Sequence, residues 1–143
     1  MSAAFYTAYL NPAVGMLRKQ MLYILNPNKI MATHYLIQKH KARGHKIIVF
    51  SDRIFALQVL SHQLNEWGMK NIGMIEGRCE GWERDQIIRD FKENPDSAVI
   101  LLSRVGDAAL DMPDANVIIQ VSSMGVGHSW RSTLLACAPV AVC

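Results

Sequence analysis

Three short stretches of this sequence carry residue types that do chemistry. Ser51, Asp52 and Arg53 place a hydroxyl, a carboxylate and a guanidinium in succession. The segment from Ser103 to Asn116, SRVGDAALDMPDAN, begins with Ser103 and Arg104 and closes a tight loop at Val105-Gly106-Asp107. An apolar pair, Ala109-Leu110, then leads to Asp111-Met112-Pro113. Glycine in such a loop lets backbone approach a ligand closely, and Asp107 can accept a hydrogen bond or organise a neighbouring site. The same residues equally suit an ordinary turn that uses Gly and Asp for their conformations. The third stretch runs from Glu76 through Gly77 and Cys79 to Arg84. The five histidines, His34, His40, His45, His62 and His128, show no metal-ligand spacing. No metal site and no catalytic residue is expected in this chain.

These stretches need elements to hold them. Met21 to Leu25, MLYIL, reads as a short buried strand. Asn26-Pro27-Asn28 starts a helix that carries Ile30, His34, Ile37 and Lys41 on one face and ends at Gly44. Lys46 to Ser51, KIIVFS, is a continuous apolar run of the kind that forms a parallel strand covered on both faces. Phe55 to Trp67 reads as a helix with Ala56, Val59, Leu60 and Leu64 inward, closed by Gly68. A strand over Ile72 to Ile75 follows, then a helix over Trp82 to Lys92 with Ile87, Ile88 and Phe91 inward. After the Asn94-Pro95-Asp96 turn come strands over Ala98 to Ser103 and Val117 to Val121. Alternating strands and helices predict an α/β fold, a parallel sheet flanked by helices with right-handed crossovers. Functional loops of such sheets lie at the carboxyl ends of the strands. Here those ends are Ser51 to Arg53, Glu76 to Glu83, Ser103 to Asp111, and Ser122 onward.

Composition agrees with one compact domain. The 143 residues are 50% hydrophobic and 19% charged. No apolar run reaches the roughly 20 residues that span a bilayer, so no membrane partner is expected. The first residues, MSAAFYTAYLNP, lack the basic and apolar regions of a secretory signal. Three cysteines, Cys79, Cys137 and Cys143, form no metal-like pair and suit a reducing compartment. Charge is unevenly spread. Residues 1–51 hold seven basic side chains and no acidic one, whereas the remainder holds eight basic against twelve acidic. A basic half suits a polyanion such as nucleic acid. Lys39, Lys41 and Arg43 also fit the solvated last turn of a helix, where cations complement the dipole.

Several stretches, taken in order, resemble XPB-type superfamily-two DNA helicases. SRVGDAALDMPDANVIIQVSS is similar to the family's motif V, close to S-K-V-G-D-x-x-x-D-L-P-x-A-N followed by an apolar strand and I-S-S. KIIVFSD resembles motif IV, and LYILNPNK resembles the family's L-x-x-x-N-P-N-K. MSAAFYTAY resembles the linker from the first motor domain, M-S-x-x-F-Y-x-x-Y. Glu83-Arg84, Ile87-Ile88 and Phe91 to Pro95 match the helix that closes with F-K-x-N-P. The similarity covers residues 1 to about 125 and is nearer the eukaryotic branch of the family.

The resemblance implies a single RecA-like domain, the second half of the motor, lacking the phosphate loop. Residues 1–20 would be the linker, 21–125 the RecA-like helicase C-terminal domain, and 126–143 a divergent tail. It implies an ATP-driven 3′ to 5′ DNA translocase that is a subunit of the transcription and repair complex TFIIH, hence a nuclear location. DNA, the first motor domain and TFIIH subunits are the implied partners. ATP and Mg²⁺ are the implied cofactors of the full-length family, with none expected to bind tightly to this chain alone. Gly106, Asp107 and Asp111 would lie at the nucleotide cleft. Ser51, Asp52, Arg53, Gly77, Arg84, Ser103 and Arg104 would lie along the DNA. For Arg53 and Arg104 a solvated surface position is the alternative.

Departures from the family pattern limit what carries over. The sequence contains no G-x-x-x-x-G-K-[ST] loop, no D-E-x-H box and no Q-x-x-G-R-x-x-R segment. The chain is therefore expected to be a fragment, inactive as an ATPase, with a non-enzymatic DNA- or partner-binding module as the alternative. After Ser123 the sequence MGVGHSWRSTLLACAPVAVC leaves the family pattern abruptly. This suggests a frameshift, a retained intron or an alternative end, against a diverged helix that packs normally. GRCEGWER stands where the family has G-x-T-x-Q-x-E-R, so Cys79 replaces Thr and Gly81 replaces Gln. Trp82 either stacks on a base or packs at the helix start. The Cys79-to-Arg84 loop also resembles that of rhodanese-like sulfurtransferases, in which amides and Arg stabilise a reactive thiolate. The purified chain is expected to show no cyanide-dependent sulfur transfer, before or after alkylation of Cys79. Thiocyanate production lost on alkylation would establish the sulfurtransferase reading instead.

Overall fold

The computed structural model describes residues 3–103 and 114–122. The expectations placed on Arg104, Gly106, Asp107, Asp111 and the tail lie outside the described residues. Helices α1 (Ala3–Leu10), α2 (Met16–Ile24) and α3 (Pro27–Lys41) precede strand β1 (Ile47–Ser51). Helix α4 (Ile54–Glu66), strand β2 (Ile72–Ile75), helix α5 (Gly81–Glu93) and strands β3 (Val99–Ser103) and β4 (Val117–Ser122) complete the chain. The sheet order is β2-β3-β1-β4, and every pairing is parallel.

Central strands β1 and β3 are buried at every residue, which explains their unbroken apolar runs. Alternate side chains feed two cores. On one face Ile47, Val49, Leu101 and Ile119 pack with Ile37 of α3 and with Leu57, Leu60 and Leu64 of α4. On the other face Ile48, Phe50, Ile100 and Leu102 pack with Phe91, Ile87 and Ile88 of α5. Helix starts and ends follow the sequence signals. The Asn26 side chain accepts from the Asn28 backbone N–H at 3.1 Å, and Pro27 stands in the first turn, where its missing N–H costs nothing. Gly44 and Gly68 take φ of 73° and 82° just after their helices, a conformation that favours glycine.

Two expectations fail. Met21 to Leu25 is not a strand: Met21 to Ile24 end helix α2 and Leu25 caps it, and only Ile24 of the helix is buried while Met21 and Tyr23 are exposed. A central parallel strand would bury the whole run; a five-residue apolar run does not by itself separate helix from strand. In α4 the inward residue is Leu57, at 0% exposure, and not Val59, at 37%. The helix starts one residue earlier than its apolar spacing suggests.

The basic half divides between the two ends of the sheet. Lys39, Lys41 and Arg43 fall at the end of α3, which delivers the chain to the amino end of β1. Lys46 is committed structurally. Its ammonium donates to the carbonyls of Asn94 (2.7 Å) and Ser97 (3.4 Å) and lies 5.3 Å from the Phe91 ring. Burial pushes its pKa down, with Asp114 acting in the opposite sense.

Two features yield quantitative expectations. A Cβ on Gly73 of β2 would stand 2.6 Å from Cγ2 of Ile87 and 3.3 Å from Cγ1 of Ile100. Ile87 is β-branched and stiff at χ1, so it does not give way cheaply. Gly73→Ala is expected to cost about 1–3 kcal/mol in urea unfolding, with an unchanged denaturant slope. The second feature is His34 on α3, whose ring lies 4.1 Å from that of Trp67 at the end of α4. Its Nε2 is buried without a hydrogen-bond partner among the described residues, and burial lowers its pKa. His40 is lowered by burial and then by His45, whose Nδ1 stands 3.1 Å from its own. Both rings are thus favoured neutral in the folded state, while the unfolded chain binds protons below about pH 6.5. Stability is therefore full above that pH and falls as pH drops through it. The Tm is expected to decrease between about pH 7.5 and 5.5, and His34→Gln with His40→Gln to shrink that decrease. A profile unchanged by the double variant would contradict this account.

Candidate functional site

The carboxyl end of the sheet presents a row of three hydroxyls. Register pairs Ser51 of β1 with Ser103 of β3 on one side and with Ser122 of β4 on the other. All three are buried. The second pairing depends on an irregularity: Phe50 is opposite Gln120 but Ser51 is opposite Ser122, so β4 has an extra residue at Val121. Such a bulge is uncommon between parallel strands and re-aims the side chains beyond it. Without it Ser51 would face Val121.

The bulge closes a hydrogen-bond chain. The Arg53 backbone N–H donates to Ser51 Oγ at 3.1 Å. Ser122 Oγ donates to Asp52 Oδ1 at 2.6 Å, and the two serine hydroxyls lie 2.6 Å apart. Since the Ser122 proton is committed to the carboxylate, Ser51 is the donor to Ser122. The chain therefore runs from the Arg53 amide through two hydroxyls to the Asp52 carboxylate. Short, charge-assisted bonds of this kind fix the rotamers along the row. Two buried acceptors or donors at this edge remain without a partner among the described residues, Asp52 Oδ2 and Ser103 Oγ.

Arg53 reaches from this row toward the N-terminal helices. Its Nη2 donates to Gln20 Oε1 of α2 at 3.3 Å. Lys19, beside Gln20, has its ammonium 6.0 Å from the Tyr9 ring, and Lys29 at the start of α3 stands 4.0 Å over Tyr23. Lys19 thus lies next in sequence to the Gln20 that Arg53 contacts. Nothing in the residue pattern announces the Gln20–Arg53 link, because the two lie far apart in sequence. Ser122 also escaped sequence reasoning as a partner of Ser51, since a bulge leaves no compositional mark.

Of the other sequence-predicted residues, Gly77 and Arg84 are described, and they lie apart from the serine row. Gly77 is exposed in the turn after β2. The Arg84 backbone N–H donates to Glu80 O at 3.0 Å in the first turn of α5, and its Nε is buried with no partner among the described residues. Trp82 does not pack at the helix start. It is 66% exposed, with its indole N–H donated to Glu80 Oε2 at 2.5 Å. The Cys79 thiol donates to the Met74 carbonyl at 3.5 Å, which directs it back toward β2 and not into an amide-lined loop. Among the described residues no group of three His, Cys, Asp or Glu side chains converges on a metal position.

Known proteins place this architecture. The ERCC3/RAD25/XPB C-terminal helicase family matches residues 1–132. The chain is similar to the general transcription and DNA repair factor IIH helicase/translocase subunit XPB of Dictyostelium discoideum, 45% identical over 124 residues, 86% of this chain and 14% of that protein. The Danio rerio subunit of the same name is 42% identical over 125 residues, 87% of this chain and 15% of that protein. The Saccharomyces cerevisiae subunit XPB/SSL2 is 40% identical over 123 residues, 86% of this chain and 14% of that protein. The chain thus spans 14 to 15% of the length of these relatives.

Solved structures agree on the fold. The Sulfolobus solfataricus SWI2/SNF2 ATPase core in complex with dsDNA superposes with a TM-score of 0.69 at 17% identity, over 94% of this chain and 33% of that one. The C-terminal domain of the DEAD-box protein Dbp5 gives 0.65 at 18% identity, over 82% of this chain and 69% of that one. The parallel sheet with flanking helices is the RecA-like fold of helicase C-terminal domains. By sequence and by fold, the chain belongs to the ERCC3/RAD25/XPB C-terminal helicase family.

Proposed function

We propose that this chain is the second RecA-like half of an ATP-dependent 3′ to 5′ DNA helicase or translocase of transcription initiation and nucleotide excision repair. The observation that carries the reading is the family match across residues 1–132. On this reading the chain acts in the nucleus within a TFIIH-like assembly. A first motor domain supplies the phosphate-binding loop and the Mg²⁺ site. ATP lies between the halves, with Gly106, Asp107 and Asp111 facing the cleft. Ser51, Asp52, Arg53, Gly77, Arg84, Ser103 and Arg104 follow the DNA backbone.

The carboxyl edge supports a division of labour among these residues. Ser103 Oγ is a buried hydroxyl without a partner among the described residues, so it meets a phosphate oxygen only when the strand end opens to admit one. The Asp52 carboxylate repels phosphate, and its bond to Ser122 fits it to hold the row in register. Asp52 is thus a positioning residue and Arg53 the cation beside the strand.

The described residues do not by themselves make a nucleotide cradle. The sequence has no phosphate loop, and the described residues gather no metal-binding group. On this reading the purified single chain acts as a non-enzymatic DNA-binding module. It is expected to hydrolyse no ATP with or without DNA. Its DNA affinity should fall steeply between about 50 and 200 mM salt, as phosphate neutralisation requires. DNA-stimulated ATP turnover by the single chain would refute the first expectation, and salt-independent affinity the second.

A further inference from the structure

Helices α1 and α2 and the turn between them border an open groove of about 360 Å³ lined by Tyr9, Val14, Met16, Lys19, Gln20 and Tyr23. We propose that it is a base-stacking slot for a single nucleic-acid strand, continuous with the carboxyl edge of the sheet. The proposal rests on the DNA-binding reading above and gives Tyr9, Tyr23 and Lys29, which lie in the segments MSAAFYTAY and LYILNPNK, a role that the resemblance does not assign.

Three observations carry it. First, Tyr9, Tyr23 and Lys19 line the groove, and Lys29 stands over the Tyr23 ring from outside it. Lys19 lies 6.0 Å from the Tyr9 ring and Lys29 lies 4.0 Å from the Tyr23 ring, and both rings are solvent-accessible. A base has a π-face whatever its identity, so tyrosine rings accept it without sequence preference, and the neighbouring lysines meet its phosphate. Second, the helices that wall it carry no acidic side chain, and the Asp52 carboxylate of the serine row is bonded to Ser122. Residues 1–51 contain no carboxylate to repel a polyanion. The single polar amide in the wall, Gln20, is bonded to Arg53, which joins the slot to the serine row. Third, α1 has eight residues and none of them is buried. A helix that short is marginal on its own, and a strand laid between α1 and α2 supplies the contacts that the core does not. A protein partner would find the same apolar surface, but it would leave Lys19 and Lys29 to be matched by acids of its own.

The test uses the full 143-residue chain. Fluorescence anisotropy compares a labelled deoxythymidine strand of about a dozen nucleotides with an abasic strand of the same phosphate count. The unmodified chain is expected to prefer the base-bearing strand. Tyr9→Ala and Tyr23→Ala should each lower affinity for that strand by about tenfold and leave the abasic strand unaffected. Tyr9→Phe and Tyr23→Phe keep the ring and should retain binding. Tyr35→Ala, which removes an exposed ring paired with Lys39 outside the groove, should change nothing. Equal, salt-dependent affinity for both strands would overturn the slot while leaving backbone binding intact. An equal loss in Tyr35→Ala would overturn it too, by showing that aromatic contact is spread over the helical face. Absence of binding to either strand at low salt would remove the slot and the DNA-binding reading together.

Discussion

Everything in this domain depends on covering both faces of two central strands. β1 and β3 are buried at all ten positions, so an unmatched polar group on either face is costly, and Ser103 Oγ at the strand end is the one strand hydroxyl among the described residues left in that state. That requirement sets α3 and α4 on one side and α5 on the other. It also decides where polar chemistry is allowed. Within the strands hydroxyls appear only at the carboxyl ends, where Ser51 pairs with Ser122 and Ser103 Oγ has no partner among the described residues. The serine row is the boundary between a hydrocarbon interior and a polar rim.

The rim is built asymmetrically. At the amino end the connections are closed: Lys46 donates its backbone N–H to Asn116 Oδ1 at 2.8 Å and receives the Asn116 N–H on its own carbonyl at 2.9 Å. Its ammonium gathers the carbonyls of the turn before β3. At the carboxyl end the bonds run toward a carboxylate that keeps one oxygen unpaired among the described residues. A parallel sheet whose strand starts are tied and whose strand ends stay chemically open suits a domain that binds its ligands at those ends.

Much of the architecture was legible in the sequence because burial on both faces leaves an unmistakable run such as IIVFS or VILLS. Glycine after a helix and Asn-Pro at a helix start are equally readable, since both report backbone geometry directly. What failed was local ambiguity. MLYIL is apolar enough for a strand, and only the environment, in which Tyr23 and Met21 face outward, makes it a helix. The candidate site was legible as positions but not as a network. Ser51, Asp52 and Ser103 follow from their places at strand ends. Ser122 joins them through a bulge, and Gln20 through a distant helix packing beside Arg53, and neither event has a signature in residue order. Trp82 shows the opposite error: a large aromatic invites an expectation of packing, yet here it stands in solvent.

The exposed first turn of α5 bears on how this lineage changes over time. Gly81, Trp82 and Glu83 all face outward, and a side chain added at Gly81 would meet nothing within 4 Å. Substitution there carries almost no folding penalty, so selection on the turn comes from whatever the rim touches and not from the core beneath it. That is where GRCEGWER parts from its family pattern, while Phe91, two turns further along the same helix and fully buried, keeps it. One helix thus joins an exposed tip, where this chain departs from the family pattern at Cys79 and Gly81 without disturbing the core, to a buried shaft that fixes the helix against the sheet.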